Sequence, residues 1–115
     1  MADFLMLFRG GREAMQQMSP DGMQAHMKQW GDWIGGLAKQ GVFKGGDPLD
    51  GGGKVLAGAN KNVTDGPYAE AKDLVGGYLI VSAKDEPAAC EIAKGCPIFE
   101  TGGSVEVRKI TPMDS

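Results

Sequence analysis

Two predicted strands of this chain each contain a run that is apolar at every position, Phe4 to Phe8 and Tyr78 to Val81, and this constrains the fold more than any other feature. The first, 2–9, predicts a strand with apolar side chains on both faces: Phe4, Met6 and Phe8 against Leu5 and Leu7. The second, 77–83, repeats the pattern: Tyr78 and Ile80 against Leu79 and Val81. Neither strand can leave a face in water without exposing apolar area. The sequence therefore predicts a sheet with both faces covered.

Two helices are predicted between and after these strands. Ser19 is a good N-cap before Pro20, and apolar residues at three- and four-residue spacing extend the first helix to about Gln40. They are Met23, Met27, Trp30, Ile34 and Leu37. Asp85 caps a second, shorter helix over about 86–95, which ends at Gly95 and Pro97.

The remaining segments complete the pattern. Glycine, Asp and Pro predict loops over 10–18, 44–54 and 66–75, while Lys54–Gly58 and Asn62–Thr64 form a candidate hairpin. The last strand, 104–110, alternates in character. The order β-α-β-(β)-β-α-β predicts one α+β, ferredoxin-like domain over residues 1–115, with two helices on one sheet face. Two helices leave the other apolar face uncovered, so we expect a homodimer through the sheet face.

Composition excludes several classes of protein. Twelve Lys and Arg against 15 Asp and Glu give a net charge of −3, which argues against direct nucleic-acid binding. No apolar run approaches the ~20 residues that a membrane span requires, and the first residues lack the pattern of an export signal. We therefore expect a cytoplasmic protein with no membrane partner.

The two cysteines predict neither a disulfide nor a metal site. On one helix, Cys90 and Cys96 would lie about 9 Å apart along its axis, beyond the reach of a disulfide. Their spacing fits no zinc or CxxC pattern, and the single histidine cannot complete a ligand set. We expect two free thiols and no metal or other cofactor.

Four polar residues are candidates for chemistry, each with a structural alternative. His26, the only histidine, suits acid/base work, but a buried histidine often makes only structural hydrogen bonds. Asp65, before Gly66, is either a general base or an acceptor for turn amides. Glu106 and Arg108 share a strand face as either a salt bridge or an anion clamp.

A longer motif resembles the YCII-related family, in the branch that carries an Asp-Gly-Pro-Phe motif. It runs Thr64-Asp65-Gly66-Pro67-Tyr68-Ala69-Glu70, with Lys72 and Gly76-Gly77-Tyr78 following, and Tyr68 replaces the Phe. Further matches are Trp30, Trp33, Gly46-Asp47-Pro48-Leu49, Cys96-Pro97 and Val105-Glu106-Val107-Arg108. The resemblance implies a dimeric α/β barrel and a site built around a histidine and an aspartate, here His26 and Asp65.

Two functions remain open at this level. The first is a small-molecule pocket that performs cofactor-free proton transfer or hydrolysis. In it Asp65 is the base, His26 the acid or its orienting partner, and Arg108 holds an anionic group beside Glu106. Trp30 and Tyr68 form an aromatic wall. The alternative is a non-catalytic dimeric module that senses a ligand or binds a transcriptional regulator, since some members of the family are associated with sigma factors. The sequence does not identify the small molecule.

Overall fold

A computed structural model describes residues 1–66 and 73–113. In chain order its elements are β1 (Ala2–Arg9), α1 (Arg12–Gln16), α2 (Pro20–Lys39), β2 (Phe43–Pro48), β3 (Lys54–Ala57), β4 (Asn62–Asp65), β5 (Val75–Ala83), α3 (Glu86–Ala93), a 3-10 helix (Pro97–Thr101) and β6 (Ser104–Lys109).

The main sheet has four strands in the order β2-β5-β1-β6, with every neighbouring pair antiparallel. The two strands that are apolar on both faces, β1 and β5, are therefore central, where neighbours on both sides satisfy their backbone groups. Helices α2 and α3 each lie between two consecutive strands that are not adjacent in the sheet, which is the predicted α+β, ferredoxin-like arrangement.

The core lies between one face of the sheet and the helices. Phe4, Met6 and Val81 are fully buried, and Leu37 of α2 and Ala89 of α3 pack into the same cluster. The opposite face of the sheet carries four half-buried apolar side chains, paired across strands in register: Leu5 with Ile80 and Leu7 with Tyr78. These four lie outside the core cluster, so the predicted division of each strand into two apolar faces is confirmed.

Both predicted helix starts are confirmed. The Ser19 hydroxyl accepts a hydrogen bond from the Gly22 N–H at 3.0 Å, and the Asp85 carboxylate accepts one from the Ala88 N–H at 2.9 Å. These bonds satisfy N–H groups that have no partner within the first turn of a helix. Gly41, two residues after α2, has a φ of 77°, a conformation that glycine adopts without penalty.

Three predicted boundaries are wrong. Residues 43–48 form edge strand β2 rather than part of a loop, because pairing with β5 outweighs the turn preference of glycine, Asp and Pro. The predicted loop over 10–18 contains the five-residue helix α1. Helix α3 ends at Ala93, so Cys96 lies beyond it at the start of the 3-10 helix. Both cysteines are nevertheless free thiols, as predicted.

The predicted hairpin is present as strands β3 and β4, which form a separate two-stranded sheet. Its strands contact chiefly each other. The radius of gyration is 15.8 Å, against about 13 Å for a compact chain of this length. This difference is in keeping with a hairpin that projects from the main sheet. Across residues 1–66 and 73–113, no helix combines the length and the apolar character that crossing a membrane requires.

Candidate functional site

A cavity of about 580 Å³ lies between α2 and the helix-covered face of the sheet. Its wall is mainly apolar and comes from β1, α1, α2, β2, β5 and the 3-10 helix. The large apolar side chains in it are Phe8, Met15, Met23, Met27, Trp30, Ile34, Phe43, Leu79 and Ile98. A concave apolar space of this size with a few polar groups is the usual form of a small-molecule site.

Glycine in the edge strand shapes the floor of the cavity. A Cβ on Gly46 would lie 2.5 Å from the carbonyl oxygen of Tyr78 and 2.6 Å from a methyl carbon of Leu79. Only a residue without a side chain allows β2 to approach β5 so closely at this position. The glycines from which a loop was predicted therefore include one that lets β2 and β5 approach closely beside the cavity.

In the described part of the chain, His26 is one of two buried polar residues of the cavity wall, the other being Thr101. Its side chain is 3% exposed, and its Nε2 accepts a hydrogen bond from the Trp30 Nε1–H at 3.0 Å, one turn along α2. An indole nitrogen can only donate, so Nε2 is the unprotonated nitrogen of a neutral imidazole and Nδ1 carries the proton. The tautomer of His26 is thus set by Trp30.

The other nitrogen of His26 has no hydrogen-bond partner among residues 1–66 and 73–113. Nδ1 is inaccessible to solvent and unpaired, and the nearest carboxylate oxygen, Oε2 of Glu100, is 3.8 Å away. Glu100 lies in the 3-10 helix, and its side chain is 59% exposed. A buried N–H without an acceptor costs about 1–3 kcal/mol, and such groups in folded proteins often serve a function. His26 therefore has an unused donor at a cavity.

An aromatic cluster supports His26. The ring of Trp30 packs edge-on against Phe8, with centroids 5.1 Å apart, and against Trp33 at 5.9 Å. These contacts fix the indole that donates to His26. Trp30 thus occupies the cavity wall, where the sequence predicted an aromatic side chain, whereas Tyr68 lies outside the described residues.

Asp65 lies away from this cavity. It ends β4 on the projecting hairpin, its side chain is 90% exposed, and its carboxylate pairs with the ammonium of Lys54 on β3. The cavity wall contains His26 but not Asp65. Within one protomer the structure therefore does not bring together the predicted histidine and aspartate, and the carboxylate near His26 is that of Glu100.

Glu106 and Arg108 lie on the opposite side of the sheet from His26. Their register partners on β1 are Leu7 and Leu5, whose side chains point away from the core. Glu106 accepts from Arg9 at 3.2 Å and lies 3.8 Å from Arg108. The structure thus shows the salt-bridge alternative for this pair, on a face that the cavity does not reach.

Sequence reasoning missed two polar features of the site. Arg12 of α1 lines the cavity, but the segment around it was predicted to be a loop and gave no signal. Asp47 on β2 accepts a hydrogen bond from the Tyr78 hydroxyl at 2.8 Å. This bond, with the negative charge of Asp47, raises the pKa of Tyr78. The cross-strand register of β2 and β5 creates that pair, and no local pattern predicts such a register.

Metal ligands do not cluster in the part of the chain that the structure describes. Residues 1–66 and 73–113 contain no group of three or more His, Cys, Asp or Glu side chains arranged to hold a metal ion. On the helix-covered side of the sheet, the polar side chains of residues that line the cavity are instead hydrogen-bonding groups: Arg12, Gln16, His26 and Thr101.

Comparison with known proteins identifies a family and similar solved structures, one of which is described below. A family model described as the YCII-related domain matches residues 4–114. The structure of a 5-chloro-2-hydroxyhydroquinone dehydrochlorinase (TftG) from Burkholderia phenoliruptrix AC1100, in complex with 2,5-dihydroxybenzoquinone, is similar with a TM-score of 0.49 and 16% identity. The match covers 95% of this chain and 93% of that one. No curated protein matches the sequence.

Proposed function

The chain belongs to the YCII-related family, and we propose that it binds a small, largely apolar molecule in the cavity between α2 and the sheet, with His26 as the group that transfers a proton. The observation that carries the proposal is the unpaired Nδ1 of His26, which is buried beside a cavity of about 580 Å³. Nδ1 is closed to solvent in this arrangement, so a carbonyl or hydroxyl oxygen of the bound molecule would supply the missing acceptor once the side chains around His26 shift.

The proton chemistry follows from the hydrogen bonds of His26. As the neutral tautomer, the imidazole offers an N–H at Nδ1 for donation to the ligand. To accept a proton at Nε2, it must first lose the bond from Trp30, so a ligand that draws the indole N–H away would free this nitrogen. The nearby Glu100 carboxylate would stabilise the resulting imidazolium. Asp65 has no role in this proposal, because its exposed carboxylate pairs with Lys54.

Binding is testable through the two tryptophans of the chain. In a ¹⁵N–¹H NMR spectrum each indole N–H gives its own resonance, and Trp30→Phe identifies that of Trp30. Titration with 2-naphthol should shift the Trp30 resonance most, since Trp30 lines the cavity and Trp33 does not. If neither indole responds to 2-naphthol, 2-naphthamide or 2-naphthoic acid, the proposed site is wrong.

Turnover is tested separately on a panel of lactones and aromatic acids. His26→Gln retains an acceptor for Trp30 and a donor for the ligand but cannot transfer a proton, so it should keep binding and lose turnover. Gln29→Leu, at an exposed position of the same helix, is the control and should leave both unchanged. Binding without turnover in the wild-type protein would favour the alternative, a ligand-sensing module that acts on a regulator.

The open face of the sheet motivates a proposal about assembly. We propose that two copies pair through the face formed by Leu5, Leu7, Tyr78 and Ile80, as in a dimeric α/β barrel. This face is apolar at its centre, and the helices of residues 1–66 and 73–113 pack on the other face. Covering it removes apolar area from water, which is the main driving force for obligate association.

A further inference from the structure

We infer that the molecule bound in the cavity is an aromatic anion, and that Arg12 holds its negative group at the cavity wall. The inference rests on the proposed function and names the substrate class of the same site. It requires three properties of the structure: an apolar wall for the ring, a cation with unused donors, and the absence of a competing carboxylate at that cation.

The apolar side chains of the cavity wall indicate which kind of molecule can bind there. Phe8, Trp30 and Phe43 supply aromatic surface from β1, α2 and β2, and methionines of α1 and α2 supply adaptable apolar contact. Aromatic rings pack edge-on or offset against such side chains, as Phe8 and Trp30 do with each other at 88°. A planar ring system is therefore the body that this wall accommodates best.

Arg12 supplies the cation. It lies at the start of α1, lines the cavity, and reaches across to the segment after β2, where its Nη2 donates to the Leu49 carbonyl at 3.4 Å. Its guanidinium lies against Gly51, where an added Cβ would come within 2.7 Å of Nη1. A guanidinium has five N–H donors in a planar fork that matches a carboxylate. Within the part of the chain that the structure describes, Arg12 uses one of them.

The three arginines of the chain differ in their partners. Arg9 and Arg108 both lie within salt-bridge distance of Glu106 on the open face of the sheet. Arg12 pairs with no carboxylate among residues 1–66 and 73–113. The carboxylate of Asp47 is engaged by the hydroxyl of its register partner Tyr78, whose side chain lies on the open face of the sheet. The sequence predicted that Arg108 binds the anionic group of the ligand. We assign this role to Arg12 instead.

The charge of the whole chain makes this inference testable. With a net charge of −3, the protein as a whole repels anions. A preference for an anionic ligand over a neutral one of the same shape must therefore come from a local cation. The matched pair 2-naphthoic acid and 2-naphthamide meets this need, since the carboxylate is ionised at pH 7.5 and the amide is neutral.

The experiment measures the dissociation constants of both probes by isothermal titration calorimetry and by the shift of the Trp30 indole resonance. We expect the acid to bind about tenfold more tightly than the amide, as a charge-assisted hydrogen bond allows. Arg12→Met should abolish this ratio by weakening binding of the acid far more than binding of the amide, and Arg12→Lys should restore part of it. Arg108→Met is the matched control and should retain the full ratio.

The outcomes separate the two proposals. If the amide binds but the acid binds no better, or if the ratio survives Arg12→Met, the inference about Arg12 is wrong while the proposed binding site stands. If the ratio disappears in Arg108→Met instead, the anion is held on the open face and the inference is also overturned. If neither probe binds at all, the proposed function itself fails.

Discussion

At the scale of single residues, the hydrogen bond from Trp30 to His26 makes a prediction about the position of one proton. Because the indole N–H can only donate, neutral His26 should carry its proton on Nδ1, the rarer tautomer of free histidine. The ring ¹⁵N shifts in a long-range NMR correlation distinguish the two tautomers directly. Trp30→Phe removes the donor and should allow the proton to move to Nε2. A wild-type imidazole protonated at Nε2 would contradict the hydrogen bond and the role assigned to it.

The buried thiol of Cys96 predicts a loss of stability at alkaline pH. Burial raises the pKa of Cys96 from an ordinary value of 9.0 to about 12, because the thiolate would lose its hydration. The raised pKa means that the folded state holds this proton more tightly than the unfolded state. The stabilisation is complete below pH 9 and is lost as the pH rises from about 9 to about 12.

The measurement is urea denaturation of the wild type and of Cys96→Ala between pH 8.5 and 10.5. The wild type should lose more stability across this range, since the variant lacks the group that titrates. Cys90→Ala, at a half-buried thiol, is the control and should follow the wild-type pH dependence. Parallel curves for the wild type and Cys96→Ala would show that burial does not perturb the Cys96 thiol.

At the scale of elements, edge strand β2 depends on the absence of a side chain at Gly46. Gly46→Ala should destabilise the protein by about 1–3 kcal/mol, because the added methyl would overlap the Tyr78 carbonyl and Leu79 on β5. The same change should alter the cavity, since Gly46 lines it. The readouts are the urea midpoint and the Trp30 indole resonance.

Helix α2 supplies the matched control for this substitution. Gly31 is exposed, and an added Cβ there meets no atom within 4 Å. Gly31→Ala should therefore stabilise the protein by about 0.5–1 kcal/mol, because alanine loses less backbone entropy in a helix. If both substitutions changed stability in the same direction, the conclusion that β2 needs a glycine at position 46 to approach β5 would be wrong.

At the scale of the whole molecule, the open sheet face predicts a dimer. Light scattering at micromolar concentration should give about twice the 12.1 kDa of one chain. Leu7→Lys places a charge at the centre of the face and should yield monomers. Ala38→Lys, at an exposed position of α2, adds the same charge elsewhere and should leave the dimer intact. A wild-type protein that stays monomeric would refute the assembly.

The sequence by itself determined the features that depend on local periodicity and capping. Three such features are present in the structure: the alternation in β1 and β5, the apolar stripe of α2, and the helix caps at Ser19 and Asp85. Each depends only on residues that are close together in the chain. Together they were sufficient for the α+β class, although α1 and β2 were predicted as loops. The long motif was likewise sufficient for the family.

Only the tertiary structure decided the composition of the site. The glycines of residues 43–48 favour a loop when the segment is considered alone. The segment is a strand because it pairs with β5. The packing of distant segments decides where each candidate residue lies. It places Asp65 on a projecting hairpin, Glu106 and Arg108 on the open face of the sheet, and Arg12 at the cavity. Residues far apart in the chain share a site through long-range packing, which no pattern of neighbouring residues records.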